Sequence, residues 1–192
     1  MPNPIPRRRD AAATREAILV SARNAFAQSG YDGAAMLEIA AGAGLTPMLV
    51  NRYFDSKEQL FAEVIADTVA SPSMLTQGNL SAENLGRTLA TTLVSLTEAG
   101  SAPLQGWLIM LQAASSKRAA GAAREHLEKG PQASMAATLK GAHQQERAAL
   151  VMALVSGFLV TRQSLELSAL AKADPQVLID LLTPLFQQLV DG

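Results

Sequence analysis

The chain has 192 residues, enough for one or two small domains, and a hydrophobic content of 48% gives them a real core. Its net charge of −1 selects no class of partner, and the absence of cysteine excludes disulfides, thiolate metal sites and thiol redox switches. No run approaches a membrane span and the N-terminus lacks the apolar stretch of a signal peptide, so a cytoplasmic protein is expected.

Charge distribution says more than the total. Residues 1–57 hold seven Lys/Arg and five Asp/Glu, a net +2, whereas residues 58–192 hold nine and twelve, a net −3. The densest basic cluster, Arg7, Arg8 and Arg9, follows a proline-rich start at Pro2, Pro4 and Pro6. Residues 1–9 are therefore expected to form a disordered basic arm, lying along a DNA backbone or entering the minor groove; the alternative is a solvated tail.

A helix is predicted from about Asp10 to Ser29, with Ile18, Ala22, Ala25 and Phe26 as its buried stripe and Gly30 as its C-terminal glycine. After the connector Gly30-Tyr31-Asp32-Gly33, a short helix is predicted from Ala35 to Ala41, with Met36, Ile39, Ala40 and Ala43 on one face. Gly42 and Gly44 allow a tight turn. Thr46 then caps a second short helix that has Pro47 at its first position and runs to about Phe54. Val50 and Phe54 point inward, and Met48, Asn51, Arg52 and Tyr53 are left outward or sideways. This is the pattern of a helix-turn-helix, whose second helix fits the DNA major groove. The domain spans residues 10–55, and a connecting helix follows over 56–70, capped by Asp55 or Ser56.

The surface of the second helix, Pro47, Met48, Leu49, Asn51 and Arg52, is unusually apolar. Apolar side chains contact the thymine methyl and Asn pairs with adenine, so Met48 or Leu49 is expected at a thymine and Asn51 at adenine or a nearby phosphate. The alternative is that Met48 packs on a neighbouring helix and Asn51 touches phosphate only. Thr46, Tyr53 and Lys57 read as phosphate anchors, and the start of the following helix adds N–H groups and a positive dipole end.

Residues 71–192 form a helical body. A polar linker over 71–80 precedes a helix from Ser81 to about Ala99, and a break over 100–103 precedes a short apolar helix from Leu104 to Ala114. A helix from Lys117 is interrupted at Gly130-Pro131 and continues to Lys140. The last two helices, about Gln144–Ala171 and Pro175–Val190, are more apolar than one face of a small domain needs; Pro184 is expected to kink the second. Leu150, Leu154, Phe158, Leu178, Leu181 and Leu185 are assigned to a four-helix interface between two copies; the alternative is a purely intramolecular core. Trp107, Met110, Met135 and Phe158 are candidates for an apolar ligand cavity or plain core. His126 and His143 have no metal-ligand spacing around them and are expected to be exposed. No cofactor is expected. No catalytic constellation occurs in a suitable context, so no enzyme is expected.

Phe26, Gly30-Tyr31, Ile39-Ala40, Ala43-Gly44, Thr46, Tyr53-Phe54 and Ser56-Lys57-Glu58-Gln59-Leu60 together resemble the TetR family of bacterial transcriptional regulators. The likeness covers about residues 14–65 and extends more loosely through Gly157, Arg162 and Ala173-Asp174-Pro175. It implies an all-α fold of about nine helices and a homodimer that represses from a palindromic DNA operator and releases it when a small apolar effector binds the second domain. The family often has Thr before the first short helix, where this chain has Ala34 and Ala35. Its usual Gly or Ala early in the recognition helix is Met48, and its usual Tyr is Asn51. The departures at Ala34-Ala35 and Asn51 support the alternative of a small-molecule sensor or carrier with weak or lost DNA binding.

Overall fold

The computed structural model describes residues 7–69, 74–98 and 105–192. Among them are twelve α-helical segments and two π turns, with no strand. The chain forms two compact units, one from residues 1–69 and 105–124 and the other from residues 70–104 and 125–192.

In the first unit, α1 (Arg7–Gly33) opens at Arg7, so Arg7, Arg8 and Arg9 form its first turn and not an extended arm. Helix-forming Ala11, Ala12 and Ala13 follow without a breaker, which lets the helix propagate back through the arginines. Their side chains, and residues 1–6, lie outside the described residues. α1 breaks at Gly30, where φ 67° and ψ 179° suit only a residue without Cβ. Beyond the break, Tyr31 stacks on Phe26 at 6.0 Å between centroids, and Phe61 meets both rings edge-on at 5.0 and 5.1 Å. Each such pair adds about 0.5–1.5 kcal/mol beyond its buried area.

α2 (Met36–Gly42), α3 (Pro47–Val50) and α4 (Lys57–Val69) follow. Ser56 and Gln59 start α4 as a pair: Gln59 N–H donates to Ser56 Oγ at 3.1 Å, and Asp55 N–H donates to Gln59 Oε1 at 2.7 Å. The leading segment of the first unit ends at residue 69, and residues 105–124 join it from beyond. α7 (Gln105–Ala113) packs on α1 and α4, because its apolar Ile109, Met110 and Ala113 are buried there, and the start of α8 (Lys117–Leu127) stays with it.

The second unit holds α5 (Gln77–Leu80), α6 (Leu85–Leu96), α9 (Ala133–Thr138), α10 (Gln144–Leu159), α11 (Ser168–Ala171) and α12 (Pro175–Asp191). The helix expected from Ser81 begins at Leu85, after Thr76 has capped the separate turn α5. α6 lies so close to α12 that a Cβ at Gly86 would sit 2.8 Å from the Gln187 backbone N. Leu89, Leu93 and Phe186 are fully buried in this unit.

At Gly130-Pro131 the chain does not break. A π turn over Glu128–Gln132 absorbs the proline and leads straight into α9. A second π turn, Val160–Ser164, ends α10 where a longer helix was expected. In it Arg162 is buried and donates through Nη1 to Val94 O at 2.8 Å and Thr97 Oγ1 at 2.7 Å, with Phe158 5.7 Å from the guanidinium. Burial holds its pKa below the ordinary arginine value. α12 carries Pro184 inside it and stays one helix from Pro175 to Asp191. The break expected at 100–103 lies outside the described residues.

Candidate nucleic-acid interface

The two short helices are built from local sequence. Gly44 takes φ 69°, a left-handed value that ends the turn after α2. Thr46 then stands in extended backbone and its Oγ1 accepts from Leu49 N–H at 3.4 Å, while Pro47 occupies the first helical position. Beyond Val50 the helix tightens: Arg52 and Tyr53 N–H donate to the carbonyls three residues back, and Phe54 N–H returns to Val50 O at 3.1 Å. The helical path therefore reaches Phe54, although its regular part stops at Val50.

Two anchors fix this motif to α1 and α4. Val50 and Phe54 are fully buried, and removing one such side chain from water is worth about 1.5–3 kcal/mol. Arg15 lies 5.2 Å from the Phe54 ring centroid and pairs with Glu63. Ser21 Oγ donates to Ile39 O at 2.8 Å, a buried bond from α1 to α2. A side chain at Gly42 would collide with that hydroxyl, so the glycine is needed for close approach as well as for the turn.

With Val50 and Phe54 inside, the opposite side is bare. Met48 is 77% exposed, which removes the alternative that it packs on a neighbouring helix. Thr46, Asn51 and Arg52 are exposed, and Pro47, Leu49, Tyr53 and Lys57 are half-buried. Lys57 is partly engaged, with Nζ 4.7 Å over the Tyr31 ring. The Tyr31 hydroxyl donates to the Glu58 carboxylate; burial first, and that bond second, push the Tyr31 pKa up to about 12. The Glu58 carboxyl is held below its ordinary value by its own backbone N–H and then by Tyr31. Sequence reasoning missed Leu37, which is 69% exposed on α2. The signal was available: Leu37 is apolar but off the stripe of Met36, Ile39 and Ala40.

Met110 is buried in the first unit, Met135 and Phe158 are buried in the second, and the side chain of Trp107 lies outside the described residues. A cavity of about 610 Å³ opens elsewhere, lined by Ala17, Val20, Asn24, Glu38 and Ala43 among others. Of the residues assigned to a dimer face, Leu150, Leu181 and Leu185 are exposed and Leu154 is half-buried. Phe158 and Leu178 are instead buried within their own chain. His143 is exposed as expected. His126 is not: it is half-buried, and its Nε2 is buried without a hydrogen-bond partner among the described residues. No described helix is long and apolar enough to cross a membrane, and the described residues contain no cluster of three or more potential metal ligands.

A capped helix-turn-helix, held by two buried anchors and bare on its second helix, defines a DNA-binding regulator. Residues 18–64 match the family of bacterial regulatory proteins of the tetR type, and residues 83–190 match the tetracyclin repressor-like C-terminal domain. The chain therefore belongs to the TetR family of transcriptional regulators, with its DNA-binding domain first and a ligand-binding type of domain second. No curated protein is similar enough to match. Solved structures are: a TetR-family regulator of Streptomyces coelicolor is 22% identical at a TM-score of 0.58, covering 98% of this chain and 99% of its own. GusR of Salmonella enterica is 18% identical at 0.71, covering 92% and 95%. The multidrug binding protein EbrR, solved with malachite green, is 18% identical at 0.63, covering 93% and 98%.

Proposed function

We propose that this protein is a repressor that binds a palindromic operator as a homodimer in the cytoplasm and releases it when a small apolar effector occupies the second domain. The observation that carries this reading is the exposed face of α3, where Met48, Asn51 and Arg52 stand clear of the domain that anchors Val50 and Phe54. Asn51 reads adenine or holds a phosphate, Met48 and Leu49 approach thymine methyls, and Thr46, Tyr53 and Lys57 fix register on the backbone. Arg7, Arg8 and Arg9 add neutralising charge from the first turn of α1.

A second copy is supported by an apolar stripe with no cover in the chain. Leu150 and Leu154 on α10 are four residues apart, as are Val177, Leu181 and Leu185 on α12. The two helices run antiparallel, because Arg147 at the start of α10 donates to Leu189 O and Val190 O at the end of α12. Leu181 is 64% exposed and Leu150 54%, the pattern of a four-helix interface. For the effector, the second unit buries the apolar Met135 and Phe158, and EbrR, which shares the fold, was solved with malachite green. The first domain retains a capped and exposed recognition helix, which disfavours a sensor without DNA binding.

Selection of bound sequences from random duplexes tests the reading with the full chain. The expected product is an inverted repeat with half-sites about 10 base pairs apart or a multiple of it. Enrichment of no sequence, together with a monomeric mass in solution, overturns it.

A further inference from the structure

We propose that Leu37, on the first turn of α2, is a second apolar reader of the operator, recognising a thymine 5-methyl group alongside Met48 on the first turn of α3. This rests on the operator-binding reading above and adds a specificity-determining residue to it.

Leu37 and Met48 are the two most exposed large apolar side chains among the described residues, at 69% and 77%. Each is the second residue of its helix, and the two helices are the halves of one helix-turn-helix. An exposed leucine is ordinary when it is alone on a polar surface. This one is not alone, since Met48 of the same motif is as bare. The exposed residues beside it on α2 and directly before the helix are Ala35, Glu38, Ala41 and Gly42, and the one charged residue among them, Glu38, is repelled by phosphate. α2 therefore offers the duplex no cation and no hydroxyl, although its N-terminal turn belongs to the motif that docks. The apolar feature a duplex displays in the major groove is the thymine methyl, absent from cytosine and from uracil. Between residues 34 and 57 the cations are Arg52 and Lys57, and Lys57 is drawn over the Tyr31 ring. With no donor side chain on α2, what this helix adds to discrimination is apolar fit.

The test uses the full chain and the duplex it selects from random DNA, with each thymine of one half-site replaced singly by deoxyuridine. Wild type is expected to lose about fourfold in affinity at two or more positions, the factor that burial of one methyl group supplies. In Leu37→Ala the loss at one of those positions disappears, so thymine and uracil bind alike there. In Met48→Ala the loss at a different position disappears. Leu37→Met keeps the full pattern, and thermal melts of all variants match wild type because both positions are exposed. If Leu37→Ala weakens binding but still loses fourfold at every wild-type position, Leu37 does not read a methyl group and the proposal is overturned. A specific operator with no uracil effect also overturns it while leaving the operator reading intact. Failure to select any sequence removes both.

Discussion

Single side chains in this protein make sharply different demands on their surroundings. Arg147 is buried, yet it finds carbonyl partners on three sides: Ala142 O at 3.0 Å from Nε, Val190 O at 3.0 Å from Nη1 and Lys140 O at Nη2. A cation at the end of α12 also suits the negative end of the helix dipole. Arg147→Met keeps the aliphatic stem and removes the donors, so a stability loss of about 2–3 kcal/mol is expected in urea melts. His126 makes the opposite case. Burial lowers its pKa from 6.5, so the unfolded chain binds a proton more readily than the folded one. Stability is then full above about pH 6.5 and falls as pH drops below it, until the folded state also titrates. His126→Gln is expected to flatten the stability curve between pH 7 and 5, as thermal melts across that range would show. Neither feature was legible in the sequence. His126 reads in sequence as a lone exposed histidine, and nothing around Arg147 marks its role, because its carbonyl partners Leu189 and Val190 lie far along the chain.

Elements differ in how much of their form is local. The turn between α2 and α3 is written in Gly44, Thr46 and Pro47, and it forms as those residues predict. The long C-terminal helices were only partly legible. Their apolar content was plain, but the π turns at 128–132 and 160–164 were not, since a π turn is chosen by what the extra residue lets a neighbour reach. Arg162 bonding to Val94 and Thr97 is such a case. Close approach of α6 and α12 yields a prediction at this scale. Gly86→Ala drives a methyl against the Gln187 backbone and breaks the bond from Gly86 N–H to Gln187 Oε1. A loss of about 1–3 kcal/mol is expected, with the midpoint of thermal unfolding as the measurement.

For the whole molecule, two surfaces carry the proposed activity, and each has its own failure. Leu181→Glu together with Leu150→Glu places charges on the bare stripe of α10 and α12, so sedimentation is expected to give monomers with folded helical content. Because two half-sites are read by two recognition helices, such monomers are expected to lose most affinity for a full operator and little for a half-site. Phe158 is unsuitable for the same test, since it is buried within its own chain and a polar substitution there unfolds the domain. Asn51→Ala separates two roles for one residue. Loss confined to operators with an intact adenine marks base reading, whereas equal weakening on every sequence marks phosphate contact.

Caps, turns and the apolar face of short helices depend on residues within one or two turns of each other. The sequence alone therefore determined the helix-turn-helix, the all-helical class and the family. What only the tertiary structure decided was burial: that Phe158 and Leu178 turn inward while Leu150, Leu181 and Leu185 do not, that α7 joins the N-terminal unit, and that Leu37 stays bare. An apolar residue looks the same in sequence whether it meets its own core or water, and only the packing of distant helices tells the two apart.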